Sequence, residues 1–166
     1  MSENRGKKFE AVVRSCFERL PDVSIDRLHD QTNGYAGSSN ICDFIVYRKP
    51  YEYYIECKSV HGNTLSIHSN DPKKKYGNIT NKQWEGLLEK SKIQGVTAGI
   101  ICWWVDKNVT AFIPIQALQE RRDAGKKSIR YDDGVYTGME FYPIAGYKKR
   151  VFFDYDMEGF LNEVQG

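Results

Sequence analysis

The stretch "ICDFIVYRKPYEYYIECKSV", residues 41–60, decides the fold. Both halves are rich in β-branched and aromatic residues, and "RKPY" between them is a turn signal, so the sequence predicts a β-hairpin. A hairpin turning at Lys49–Pro50 sets Tyr47 opposite Glu52, Ile45 opposite Tyr54 and Asp43 opposite Glu56. Opposed residues share a face, with Cβ atoms about 4.5–5.5 Å apart. Lys58 lies two positions beyond Glu56 and on the same face. Charges in an apolar strand lose their hydration and need partners there. Two facing carboxylates also repel unless a proton or a cation lies between them.

Two chemistries answer that need. Lys58 can form a structural salt bridge with Asp43 or Glu56 at the sheet edge. Alternatively, two hard oxygen ligands that leave room for water suit Mg²⁺ or Mn²⁺. A cation beside an ammonium is equipment for phosphodiester hydrolysis, because it activates water and neutralises charge developing on phosphorus. The spacing alone leaves both open.

Outward from the hairpin, residues 4–20 carry Phe9, Val12, Val13, Cys16, Phe17 and Leu20 on one helical stripe, closed by Pro21. Glu10 falls at the margin of that stripe, beside Phe17. "HDQTNGYAGSSN" and "DPKKKYGN" read as loops. A helix is expected from about Thr80 to Ile93, with Thr80 as its cap. "AGIICWWV" and "VTAFIPI" are two further strands around the polar turn "DKN", with at least one of Trp103 and Trp104 in the core. "IQALQERRDA" reads as a helix, and the tail from Tyr142 adds a strand and a terminal helix. This order predicts an α/β fold, a central mixed sheet flanked by helices.

The chain has 166 residues, 40% hydrophobic and 28% charged, with no internal repeat, and is expected to form one domain. No apolar run approaches bilayer length, and "MSENRGKKFE" lacks a signal-peptide core, so the expected setting is the cytoplasm without membrane association. Cys16, Cys42, Cys57 and Cys102 are scattered singly in apolar runs, as buried reduced thiols are. Net charge is only +2. Basic residues nonetheless cluster in "NRGKK", "DPKKKYG", "RRDAGKKSIR" and "YKKR", which are either phosphate-tracking patches or solvated loops.

An Asp…ExK pair of strands after a helix carrying a glutamate resembles the PD-(D/E)XK nucleases. More specifically, the chain resembles the RecU-type Holliday junction resolvases of bacteria and phages. The residues that carry the resemblance are "NRGKKFE" with Glu10, the Asp43-to-Glu56 interval followed by "IECK", "NKQWEGL" with Gln83, and "AGKKSIRYD" followed by "VFFDYDMEGFL". The resemblance implies a restriction-endonuclease-like mixed sheet flanked by helices, one nuclease domain over residues 1–166, and a homodimer cutting four-way or other branched DNA in recombination and repair. It implies a bacterial protein, or a phage protein in the host cytoplasm.

By the same resemblance, Asp43 and Glu56 are ligands of Mg²⁺ or Mn²⁺, together with the Cys57 carbonyl. Lys58 stabilises the transition state, Gln83 helps hold the metal and its water, and Glu10 supports the site from the helix. Arg5, Lys7, Lys73, Lys74, Lys75, Lys126 and Lys127 are expected to contact DNA. "TNKQ" is also a capping box, so Gln83 has a purely structural alternative. Ile41 and Lys82 stand where the family often has threonine and histidine. The segment between Lys58 and Gln83 is longer than usual, and the family's projecting stalk, expected before Asp43, is short or absent. Two other readings remain: a nuclease of linear or single-stranded DNA, and a non-catalytic DNA-binding phage factor.

Overall fold

The computed structural model describes residues 2–28, 40–67 and 79–166. In chain order the elements are α1 (Ser2–Glu18), β1 (Ser24–Arg27), β2 (Phe44–Arg48), β3 (Tyr51–Val60), β4 (Thr64–Ser66), α2 (Asn81–Ser91), β5 (Val96–Trp104), a 3₁₀ turn (Val105–Lys107), β6 (Val109–Pro114), α3 (Ile115–Asp123), β7 (Ser128–Arg130), α4 (Asp133–Tyr136), β8 (Tyr142–Pro143), β9 (Gly146–Lys148), β10 (Phe153–Tyr155) and α5 (Met157–Gln165). Six strands form the central sheet in the order β1-β2-β3-β5-β6-β8. The β3–β5 pair is parallel and the others antiparallel, so the sheet is mixed, as expected.

The β2–β3 hairpin has the expected register, from Phe44 opposite Ile55 to Arg48 opposite Tyr51. The β5 run is central and buried along seven consecutive residues, which suits a strand covered on both faces. One core, on the α1 and α5 side, gathers Phe9, Val13, Phe17, Phe44, Val46, Tyr53, Ile55, Trp103 and Phe160. The other, on the α2 and α3 side, gathers Trp84, Leu87, Ile100, Cys102, Trp104 and Leu118. Both tryptophans in β5 are therefore core, one on each face. All four cysteines are free thiols, three of them buried.

Two close approaches set the position of α2 and β6. A Cβ on Gly86 would lie 2.3 Å from Ile41 Cγ2, so only glycine lets α2 come down onto the segment leading to Asp43. A Cβ on Gly99 would lie 2.3 Å from the Ile113 carbonyl oxygen across the β5–β6 pair. The α2–α3 contact is locked by Trp84 Nε1 donating to Gln119 Oε1 at 2.7 Å and by the Arg122 guanidinium 3.5 Å above the Trp84 ring. At the far end of β2, the buried Arg48 donates to Asn162 Oδ1 at 2.8 Å and to Gln165, docking α5.

The structure departs from the sequence expectations in the short elements. Strands β1, β4 and β7 and helix α4 lie in segments without a strong pattern, and the tail holds three short strands where one was expected. A strand of three or four residues carries too little periodicity to announce itself; β1 is recognisable only through its pairing with β2. Helix α1 also begins and ends earlier than the apolar stripe indicated, with Leu20 in the turn that follows it. The "DPKKKYGN" loop and most of "HDQTNGYAGSSN" fall outside the described residues.

Candidate active site

Asp43 stands one residue before β2, where the regular ladder has ended. Its amide donates to the Ile55 carbonyl at 3.1 Å, one position short of Glu56. Its carboxylate Oδ2 accepts from the Cys57 amide at 2.8 Å. Backbone irregularity thus swings Asp43 onto the Glu56–Cys57 peptide, and the two carboxyl groups come within hydrogen-bonding reach of each other. Glu56 itself is buried, 4% exposed. Lys58 Nζ sits 3.1 Å from Glu56 Oε2. Gln83 Nε2 donates to the same oxygen at 2.9 Å.

Gln83 forms the helix cap that its sequence context offered, and it also reaches Glu56. Thr80 Oγ1 accepts from the Gln83 amide at 3.2 Å, and Gln83 Oε1 accepts from the Thr80 amide at 3.1 Å. That is a complete capping box, and it leaves the side-chain NH₂ aimed at Glu56. The cap fixes which end of the amide faces the carboxylate, because the Thr80 N–H requires the oxygen. In this arrangement Gln83 holds Glu56 rather than presenting its oxygen to the cleft.

Burial dominates the electrostatics. Desolvation, then the negative charge of Glu56, pushes the Asp43 carboxyl up to about 7. Glu56 is also raised, mainly by burial, against the opposing pull of Lys58. Burial is the first cause of both shifts, and the contact between the two carboxyls acts on them in opposite directions, raising Asp43 and lowering Glu56. Burial pushes the Cys57 thiol well up, with Asp43 and Glu56 adding to the effect, so it remains a protonated thiol.

Asp43, Glu56 and Cys57 open into a cleft of about 480 Å³ that is closed on the other side by Gly6, Lys7 and Glu10 of α1. A neighbouring cleft of about 390 Å³ shares Lys7 and Glu10 and is lined further by Ala11, Arg14, Arg27 and Phe44. Glu10 bridges the two clefts, with Arg27 Nε 3.3 Å from its Oε1, and its charge is felt at Glu56. Nothing in the sequence marks Arg27 for the site, because the four residues of β1 carry no periodic pattern.

The remaining expected residues are dispersed. Arg5 reaches His61 Nε2 at 2.7 Å; His61 Nδ1 lies 3.3 Å from Asp106 Oδ1, a chain tying the start of α1 to the end of β3. Lys126 and Lys127 lie in the turn between α3 and β7 and do not line the cleft. Lys73, Lys74 and Lys75 lie outside the described residues. No group of three His, Cys, Asp or Glu side chains able to hold a metal occurs among the described residues. The donor set here is the pair Asp43 and Glu56: two hard carboxylate donors whose raised affinity for protons a divalent cation would offset, which fits a Mg²⁺-type ion completed by water.

No family model and no curated protein matches the chain. Among solved structures, it is similar to Hjc of Archaeoglobus fulgidus, a Holliday junction resolvase from an archaeal hyperthermophile, with a TM-score of 0.52 and 18% identity. The match covers 81% of this chain and 93% of that one. At this identity the likeness is one of fold: the two proteins share the mixed sheet with flanking helices. No helix among the described residues is long and apolar enough to cross a membrane.

Proposed function

We propose that the protein is a divalent-metal-dependent endonuclease of the PD-(D/E)XK type, related to the RecU resolvases and cutting branched DNA as a homodimer. The observation that carries this reading is the buried Asp43–Glu56 pair with Lys58 against it. Such a pair costs stability in a resting fold, and a bare structural salt bridge needs only one of the two acids. The resolvase fold of the solved neighbour supports the same reading.

The chain's own residues then divide the work. Asp43, oriented by the Cys57 amide, and Glu56, oriented by Gln83, hold the ion. Bound Mg²⁺ or Mn²⁺ supplies an acidified water and a positive charge at the scissile phosphate. Lys58 is held beside Glu56 by its ion pair, so its ammonium is already in place to meet charge developing on the phosphate oxygens. Glu10 anchors the α1 wall of the cleft through Arg27, while Lys7 and Arg27 bring positive charge alongside. The basic sets at Lys73–Lys75 and Lys126–Lys127 are assigned to the DNA arms. Two symmetric nicks require two such sites, which a two-fold dimer provides.

The test offers labelled four-way junctions, linear duplexes and single strands to the purified protein with Mg²⁺ or Mn²⁺. Paired, symmetric nicks in the junction, lost in Asp43→Ala and in Lys58→Ala, are expected. Equal cutting of all three substrates would replace branched DNA with a general nuclease. Binding without any cleavage would remove the enzyme.

A further inference from the structure

The hairpin formed by β9 and β10 stands apart from the central sheet, as a separate two-stranded sheet, and carries a strong charge that the cleft does not use. Its register sets Tyr147 opposite Asp154 and Lys148 opposite Phe153. Phe153 and Tyr155 turn their face to the α1-side core, where Phe153 meets Trp103 and Tyr155 meets Phe9. Gly146 is required under that face, because a Cβ there would lie 2.9 Å from the Tyr155 ring. Asp154, on the opposite face, is paired with Arg19, just past the end of α1. The base of the hairpin is therefore fixed to the body of the protein.

Its outer half is different. The Lys149 amide donates to the Phe152 carbonyl at 2.8 Å, closing a tight turn with Arg150 and Val151 at the apex. Lys148, Lys149 and Arg150 follow one another, all exposed and without an acidic residue between Gly146 and Phe153. Tyr147 is 84% exposed and Val151 51%. An aromatic ring left in water beside three consecutive cations has the composition of a nucleic-acid contact, where the ring stacks on a base and the cations follow phosphates. Helix α1 links this element to the cleft: Val12, Ser15 and Arg19 share a groove with Lys149, while Lys7, Glu10 and Arg14 line the clefts. Lys7 to Ser15 is about 12 Å along the helix, and Arg19 lies just beyond its end, so the two sets are separated by a distance on the order of half a turn of duplex.

We infer that the β9–β10 hairpin is a branch-recognition element, in which Tyr147 stacks on a base exposed at a DNA branch point and Lys148, Lys149 and Arg150 hold the flanking phosphates. This rests on the reading of the protein as an enzyme of branched DNA, and it gives that reading a source of selectivity outside the cleft.

Binding in EDTA, where cleavage is suppressed, tests it with fluorescent four-way junctions and linear duplexes of equal length. Tyr147→Ala should raise the junction Kd roughly tenfold with little change for linear duplex, and Tyr147→Phe should bind as wild type does. The triple variant Lys148→Ala, Lys149→Ala, Arg150→Ala should weaken both substrates and lower the slope of log K against log salt by about 2 to 3. Unchanged melting temperatures establish that these surface variants are folded. Wild-type junction affinity in Tyr147→Ala, or an equal loss on both substrates, would overturn the inference, as would a triple variant altered only in its oligomeric state. If the hairpin variants bind as wild type and the enzyme still nicks junctions, the hairpin inference falls alone. If hairpin-dependent junction binding persists in a protein that never cleaves, the endonuclease reading falls alone.

Discussion

Asp43 is the residue at which stability and function conflict most directly. With its carboxyl raised to about 7, the folded protein holds a proton that the unfolded chain releases near pH 4. Between those values the native state binds more protons, so metal-free stability falls as pH rises from about 4 to about 7, and the loss is complete above 7. Asp43→Asn removes the repulsion while keeping the shape. It should raise the metal-free melting temperature at pH 8 by a few degrees while abolishing cleavage, and a thermal melt beside a nicking assay checks both. A lowered melting temperature would show that the charge on Asp43 strengthens the bond it accepts from the Cys57 amide by more than the repulsion costs. Because the cation and the proton compete for the same oxygens, Mg²⁺ affinity should fall steadily as pH drops below about 7, measurable by calorimetry with about one proton released per ion bound.

Among the elements, α2 positions more of the site than its sequence announces. Gly86→Ala would gain about 1 kcal/mol of helix propensity but drive a methyl into Ile41, and overpacking of that kind costs about 1–3 kcal/mol. The steric term should win. The variant is expected to melt lower and to cleave more slowly, because a displaced α2 carries Gln83 away from Glu56. Kinetics unchanged from wild type would mean that Gln83 serves only its helix cap. The strongly patterned elements α1, β2, β3, α2, β5 and β6 were legible, because burial imposes a period of two or of 3.6 on their residues. The register of β2 against β3, up to Phe44 opposite Ile55, followed from that same period. The elements β1, β4 and β7 were not legible, since three or four residues paired at an edge need no periodic pattern. With β1 unseen, Arg27 and its pairing with Glu10 could not be read from the sequence. Nor could the one-residue slip of Asp43 past the end of the ladder, which depends on a hydrogen bond that no residue type encodes.

For the whole molecule, the proposed function and the inferred role of the hairpin together make a DNA path of the clefts on one flank of α1 and the basic hairpin on the other, with the mixed sheet beneath. A cation joining Asp43 and Glu56 should tighten that base: Mg²⁺ added at pH 8 should raise the melting temperature of the wild type, by ligand linkage, and leave Asp43→Asn unmoved. Sedimentation should show a dimer, since one cleft can make only one nick at a time. The most direct test of the central claim is the single-turnover nicking rate on a labelled four-way junction at pH 8, with Mg²⁺ and with EDTA, for wild type and Lys58→Ala. The account predicts nicking that requires Mg²⁺ and falls by at least about a hundredfold in Lys58→Ala. Nicking that survives EDTA, or that Lys58→Ala leaves at the wild-type rate, would contradict it.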